Sequence, residues 1–187
     1  MTTADDDLLG RARAGDRAAL DALLEPHREQ VRRLAAVLGS DDASADDVVQ
    51  ETLRLACADL ARFDGRARLS TWLCGIALNL VRRARRDRDR HAVPSDPATF
   101  DARAARRGVL TSVIRRELAE RLDDAVARLP NTLRESFVLH HVAGLDYEEV
   151  GRLLEVEPGT ASVRAHRARG LLRAALGPAL GPEWLAS

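Results

Sequence analysis

The stretch DYEEVGRLLEVEPGTASVRAHRARGLLR, Asp146–Arg173, decides how this chain folds. Its first half carries a full set of helix-start signals. Asp146 at the N-cap and Glu149 three residues on resemble a capping box, and Leu145 and Val150 occupy the hydrophobic-staple positions. The helix this predicts, Tyr147 to about Leu154, is short, and EVEP follows as a turn. Pro158 then suits the first turn of a second helix, where its missing N–H costs nothing. Two helices joined by such a turn make a helix-turn-helix.

At roughly 100° per residue the second helix sorts its side chains into two faces. Ala161, Ala165, Ala168 and Leu172 share the expected buried side, with Leu171 beside them. Ser162, His166, Arg169 and Arg173 line the expected exposed side, flanked by Val163 and Arg167. No Asp or Glu occurs between Pro158 and Pro182. An acid-free, arginine-rich face on the second helix of such a motif is suited to a DNA groove. Ser162, Val163, His166 and Arg167 lie where base edges are reached, and Arg169 and Arg173 where phosphates are met. The plain alternative is a solvated basic face on a helical hairpin.

Outward from this motif, the 187 residues are 45% hydrophobic but only 3% aromatic. A core built from Leu, Val and Ala favours helices over sheets. No run of 18 apolar residues suggests a membrane span, and the acidic start MTTADDDLLG lacks the basic region of a secretory signal. All 29 basic residues are arginine and balance 29 acids. The zero total hides segregation. Asp41–Glu51, DDASADDVVQE, holds five acids and no base, whereas Arg82–Arg90, RRARRDRDR, sets six arginines against two aspartates. Separate acidic and basic faces imply more than one partner.

Residues 8–38 read as two helices broken at Gly15-Asp16, the second carrying a stripe of Val31, Leu34, Ala35 and Leu38 and ending at Gly39-Ser40. A third helix is predicted over about 45–61, a loop over Phe63–Ser70, and a fourth helix over about 71–88. This last one has Trp72, Leu73, Ile76, Ala77, Leu80 and Val81 inward and Asn79, Arg82, Arg83 and Arg86 on the other side. His91–Gly108 contains two prolines and little periodicity and reads as a linker. Helical pattern resumes over 109–129 and again over about 132–142, before Gly144; the final dozen residues read as a loose tail. The fold class expected is all-α: two small helical domains joined by a flexible linker. The division is 1–90, linker 91–108, 109–178, and tail 179–187.

Cys57 and Cys74 form no CxxC pair, and buried small hydrophobes are the expected role for both, with a thiol sensor as the alternative. His140 and His141 point about 100° apart on a helix, which does not suit a shared metal. No metal set, no phosphate-cradling glycine loop and no Ser-His-Asp order is present, so neither a cofactor, a small-molecule substrate nor an enzymatic activity is expected.

On these residues the chain resembles the extracytoplasmic-function group of bacterial RNA polymerase sigma factors, in the sigma-70 family. GLDYEEVGRLLEVEPGTASVRAHRAR (Gly144–Arg169) and LPNTLRESFVL (Leu129–Leu139) are similar to the group's region 4. DDVVQET (Asp46–Thr52), RFDG (Arg62–Gly65) and TWLCGIALNLV (Thr71–Val81) are similar to region 2. Against the group's usual pattern stand Cys57, Leu78, Glu155 and the Ser162-Val163 pair.

The resemblance implies partners and roles. Asp46, Asp47, Gln50 and Glu51 would dock on the β′ clamp helices of core RNA polymerase, with the β flap as a further contact. Arg66, Arg68, Ser70, Thr71, Asn79, Arg82, Arg83 and Arg86 would hold the −10 element on the non-template strand. Ser162, Val163, Arg164, His166, Arg167, Arg169 and Arg173 would read the −35 element. It further implies a cytoplasmic, nucleoid-associated transcription initiation factor of stress responses, without membrane insertion and under an anti-sigma factor. The rival reading is a free-standing helix-turn-helix repressor or activator, which leaves the acidic helix and the first domain without a role.

Overall fold

The computed structural model describes residues 3–39, 42–91 and 121–177, and no strand occurs among them. The order is α1 (Thr3–Arg13), α2 (Arg17–Leu24), α3 (Arg28–Leu38), α4 (Asp42–Asp59), α5 (Leu69–His91), α6 (121–127), α7 (Asn131–Phe137), α8 (Tyr147–Leu154) and α9 (Pro158–Leu176). His91, the first residue of the expected linker, is instead the last of α5; residues 92–108 of the linker, 109–120 of the predicted helix, residue 178 and the tail 179–187 lie outside the described residues.

The first body is a helical bundle. Asp16 caps α2, its carboxylate accepting from Ala19 N–H at 3.1 Å, as the sequence predicts. The single helix expected after Gly15 is in fact two. Pro26 cannot donate to the preceding turn, so Glu25–His27 tightens into a 3₁₀ turn and α3 sets off anew. The stripe Val31, Leu34, Ala35 and Leu38 is buried as expected, and Gly39 closes α3 in the left-handed conformation at φ +116°. α3, α4 and α5 pack on one another, with α1 paired to α2. Leu73, Cys74, Ala77, Leu78 and Val81 face the core from α5. Leu78 thus joins the buried stripe, one position wider than predicted.

The second body wraps α7 and α8 around α9. Val138–Val142 continues α7 as a π turn, and Gly144 turns the chain at φ +71°. Ala161, Ala165, Ala168 and Leu172 are fully buried on α9. Small alanines let α8 and α7 approach closely, while each buried leucine adds about 1.5–3 kcal/mol. Leu171 does not belong to this side as expected: it is 48% exposed.

The two bodies share one contiguous core. α3 meets the π turn, and α5 meets α8. The approach is close enough that a Cβ on Gly75 of α5 would lie 2.9 Å from Leu153 Cδ2 of α8.

Candidate nucleic-acid and polymerase interfaces

The helix-turn-helix forms as its local signals dictate. Asp146 Oδ1 accepts from Glu149 N–H at 2.9 Å, and Glu149 Oε2 accepts from Asp146 N–H at 3.0 Å. The Glu149 amide, with Arg68 assisting, holds the Asp146 carboxyl below its usual range. Glu155 ends α8 at φ +55°, the only non-glycine residue with positive φ among those described. Pro158 opens α9. His140 stacks on Tyr147 with ring centroids 4.0 Å apart and its Nδ1 lies 2.8 Å from Leu145 O, bracing the entry to α8. Burial, then His140 and Arg169, keep His141 below the ordinary imidazole range. No group of His, Cys, Asp and Glu among the described residues is arranged for a metal.

On α9 the side chains separate nearly as predicted. His166, Arg167 and Arg173 are exposed, Ser162, Arg164 and Arg169 half-buried, and Val163 is 50% exposed. Arg169 Nη2 lies 3.4 Å from His166 Nδ1, so the two act as one polar patch.

On α4, Asp46, Asp47 and Gln50 are exposed and Glu51 half-buried. Arg54 holds Glu51 through two bonds, at 2.6 and 2.7 Å, which lowers the Glu51 carboxyl's pKa. Cys57, on the same helix, is exposed. The expectation that both cysteines are buried fails for it, because it lies outside the stripe that α3 and α5 cover. Cys74 does face the core, and burial pushes its thiol up to about 12.

The residues predicted for the −10 element fall into two groups. Arg66, Asn79, Arg83 and Arg86 are exposed and Ser70 half-buried. Arg66 contacts Asp64 at 3.4 Å, and Arg83 approaches Asp87 at 4.0 Å. Arg68, Thr71 and Arg82 instead turn to the second body. Arg68 reaches Asp146 at 3.1 Å and Glu149 at 3.3 Å. Thr71, which is buried, donates to Glu149 Oε1 at 2.5 Å. Arg82 clasps Glu135 at 3.0 and 2.6 Å, which raises the Arg82 pKa. Arg85, not singled out by the sequence, donates to Asn131 Oδ1 at 2.7 Å, and Gln30 donates to Ala143 O at 2.6 Å. The signal that could have shown this contact is Gly75, a lone glycine inside a strong helical pattern.

Beside this group lies a cavity of about 250 Å³, lined by Leu9, Leu23, His27, Phe63, Arg68 and Ser70 among others. Its walls are apolar, with cationic and hydroxyl groups among the lining. Phe63 is buried against Trp72, ring centroids 5.1 Å apart, so Trp72 braces the loop from the core side.

Residues 23–91 match Sigma-70 region 2, and residues 119–172 match Sigma-70, region 4. The chain is 30% identical over 184 residues to the RNA polymerase sigma-H factor of Pseudomonas aeruginosa, covering 94% of this chain and 95% of that protein. It is 35% identical over 170 residues to the RNA polymerase sigma factor CarQ of Myxococcus xanthus, covering 89% and 94%. Among solved structures it is similar to CnrH in complex with the cytosolic domain of CnrY, with 28% identity, a TM-score of 0.71 and coverage of 92% and 97%. It is also similar to the sigma factor RpoE in complex with the anti-sigma factor NepR from Bartonella quintana, with 26% identity, a TM-score of 0.64 and coverage of 82% and 93%. With both regions present in order and relatives matched along nearly their whole length, the chain belongs to the extracytoplasmic-function group of the sigma-70 family, transcription initiation factors rather than enzymes.

Proposed function

We propose that this sigma factor divides promoter-directed initiation among three surfaces. Asp46, Asp47, Gln50 and Glu51 on α4 dock on the β′ clamp helices of core polymerase, and the second body meets the β flap. The 63–70 loop with α5 binds the −10 element: Arg66, Arg68, Ser70, Thr71 and Asn79 hold the opened strand and its bases, and Arg82, Arg83 and Arg86 its phosphates. The cavity beside Phe63 and Arg68 suits a base taken out of the stack, since its walls are apolar and its polar groups few. On α9, Ser162, Val163, His166 and Arg167 read −35 base edges, and Arg164, Arg169 and Arg173 meet phosphates.

The observation that carries this reading is the exposed row on α9. Although α9 is anchored by four fully buried residues, Val163, His166 and Arg167 face solvent, clear of the first body. The division into 1–90, 91–108, 109–178 and 179–187 fits a tethered pair of modules. A linker of about 20 residues reaches at most ~70 Å, roughly two turns of B-DNA at ~34–36 Å each, so both elements can be engaged by one chain and the second contact gains from effective concentration. The likeness to a sigma factor held by NepR supports control by an anti-sigma factor. No described helix is long and apolar enough to cross a membrane; the chain acts in the cytoplasm and reaches a membrane through its anti-sigma partner.

The test is run-off transcription with purified core polymerase and a promoter library, alongside core-binding titrations. Arg167→Ala should lose −35-dependent initiation and keep core affinity, while Asp47→Ala with Gln50→Ala should weaken core binding. Tight, sequence-specific duplex binding without polymerase would instead make the chain a free-standing repressor and overturn the reading.

A further inference from the structure

The contact between the two bodies has a chemical direction. Each of the side-chain hydrogen bonds described between them runs from a donor on the first body to an acceptor on the second. Arg68 and Thr71 reach Asp146 and Glu149, Arg82 reaches Glu135, Arg85 reaches Asn131, and Gln30 reaches the carbonyl of Ala143. On α5, positions 71, 75, 82 and 85, with Arg68 just before the helix, fall on one stripe at the helical period. That stripe carries three of the groups expected to hold a nucleic-acid strand, Arg68, Thr71 and Arg82. What covers it is a matching acidic stripe from α7 and α8.

Glu149 shows how the contact is built. Its side chain is buried, and its two oxygens serve different bodies. Oε2 closes the capping box at Asp146 N–H, which keeps α8 in place. Oε1 accepts the Thr71 hydroxyl at 2.5 Å and lies 3.3 Å from Arg68 Nε. Separation of the bodies therefore leaves the cap intact and frees only Oε1. Arg82 and Glu135 are likewise largely withdrawn from water, and such a pair gives way readily only if another anion takes the arginine. A DNA phosphate is such an anion. Gly75 supplies the steric half: with no side chain there, Leu153 Cδ2 lies where an added Cβ would be only 2.9 Å away.

We propose that in the free chain Glu135, Asp146 and Glu149 form an acidic latch over the −10 face of α5, displaced when a single-stranded nucleic acid claims Arg68, Thr71 and Arg82. The latch rests on the reading of α5 as the −10 surface, whereas the closed state itself does not. In the closed chain the −35 row on α9 stays open, whereas on the −10 side Thr71 and Arg82 are covered and Arg68 is ion-paired. Duplex contact can precede strand capture, and an isolated chain is kept off stray single strands. A latch that holds about ten chains closed for each open one lowers apparent single-strand affinity about tenfold.

Two full-length variants test it. Glu135→Gln with Glu149→Gln removes the charges while keeping a side chain able to complete the capping box. Gly75→Leu leaves every latch group in place and puts at Leu153 a side chain too large for a turn of the leucine tip to accommodate, wedging the bodies apart. Small-angle scattering reads compactness, and anisotropy of a short fluorescein-labelled single-stranded DNA of randomised sequence reads affinity at low salt. Circular dichroism confirms that helix content is retained. The expected result is a larger radius of gyration for both variants and about tenfold tighter binding. If both variants stay as compact as the parent chain, the latch is wrong whatever the DNA does. If both open and neither binds the single strand more tightly, α5 is not the surface it guards, and the competition falls together with the −10 assignment.

Discussion

Gly151 and Val156 close the turn of the helix-turn-helix across a gap that admits no side chain. Val156 N–H donates to Gly151 O at 2.9 Å, and a Cβ on Gly151 would lie 2.7 Å from Val156 O and 3.3 Å from Pro158 N. The obstacle is backbone, which cannot swing away as a side-chain tip can. Gly151→Ala should therefore destabilise the chain by about 1–3 kcal/mol, although alanine is the better helix former by about 1 kcal/mol. Urea unfolding followed by circular dichroism checks it; a stability gain would show that the turn relaxes at no cost.

Four residues on, the same turn makes the opposite demand. Glu155 occupies the left-handed region where glycine is at ease, and its side chain is exposed. An L-residue pays about 1 kcal/mol there. Glu155→Gly should stabilise the fold by roughly 0.5–1 kcal/mol after the added freedom of the unfolded chain is counted. A fall in the urea midpoint would mean that the glutamate makes a contact worth more than the strain.

Thr52 is fully buried in α4 and its Oγ1 finds no hydrogen-bond partner. An unmet buried hydroxyl costs about 1–3 kcal/mol, and threonine and valine share a shape and a similar helix propensity. Thr52→Val should raise stability by about 1 kcal/mol with core-polymerase binding unchanged. Loss of stability would place an ordered water on Oγ1.

The two thiols should differ in reactivity. Exposed Cys57 should be alkylated by iodoacetamide in the native chain, and Cys74 only after unfolding. The sign of the pH effect follows from the raised Cys74 value. Below the ordinary thiol pKa both states are protonated and nothing is lost. Above 9.0 the unfolded thiol ionises while the native one resists until about 12, so stability falls as pH rises through that window. The slope approaches about 1.4 kcal/mol per pH unit. Cys74→Ala should lower stability at neutral pH by opening a small cavity, yet remove this alkaline contribution. An identical alkaline slope in both proteins would refute it.

For the −35 face, Arg173→Ala should weaken promoter duplex binding evenly across sequences. The slope of log affinity against log salt should drop by about one. Arg167→Ala should relax preference at one base pair, at a cost of about 1–3 kcal/mol. Competition binding on a single-substitution promoter set, repeated over a salt series, separates the two; interchanged behaviour would reverse the assignments along α9.

What could be read from the residues in order was whatever local chemistry fixes. The capping box at Asp146 and Glu149, the proline at the start of α9 and the alanines beneath it each act within a few residues, so their consequences are visible in one dimension. The stripe Val31, Leu34, Ala35 and Leu38 needs only a helical period. Charge segregation between Asp41–Glu51 and Arg82–Arg90 is likewise a property of the chain alone. Local signals misled only where their reach ended. Pro26 lay inside what read as one continuous helix although it breaks α2 from α3, and Cys57 and Leu171 missed the core by the width of a stripe.

Tertiary structure decided which of the arginines meets which acid. Arg82 and Arg83 are neighbours of identical chemistry, yet helix rotation sets them roughly 100° apart. Arg82 therefore meets Glu135, 53 positions away, while Arg83 stays exposed. Periodicity assigns a side chain to a face. What that face meets depends on how the two bodies pack, and Gly75, Leu153 and the two oxygens of Glu149 make that choice only when brought together in space.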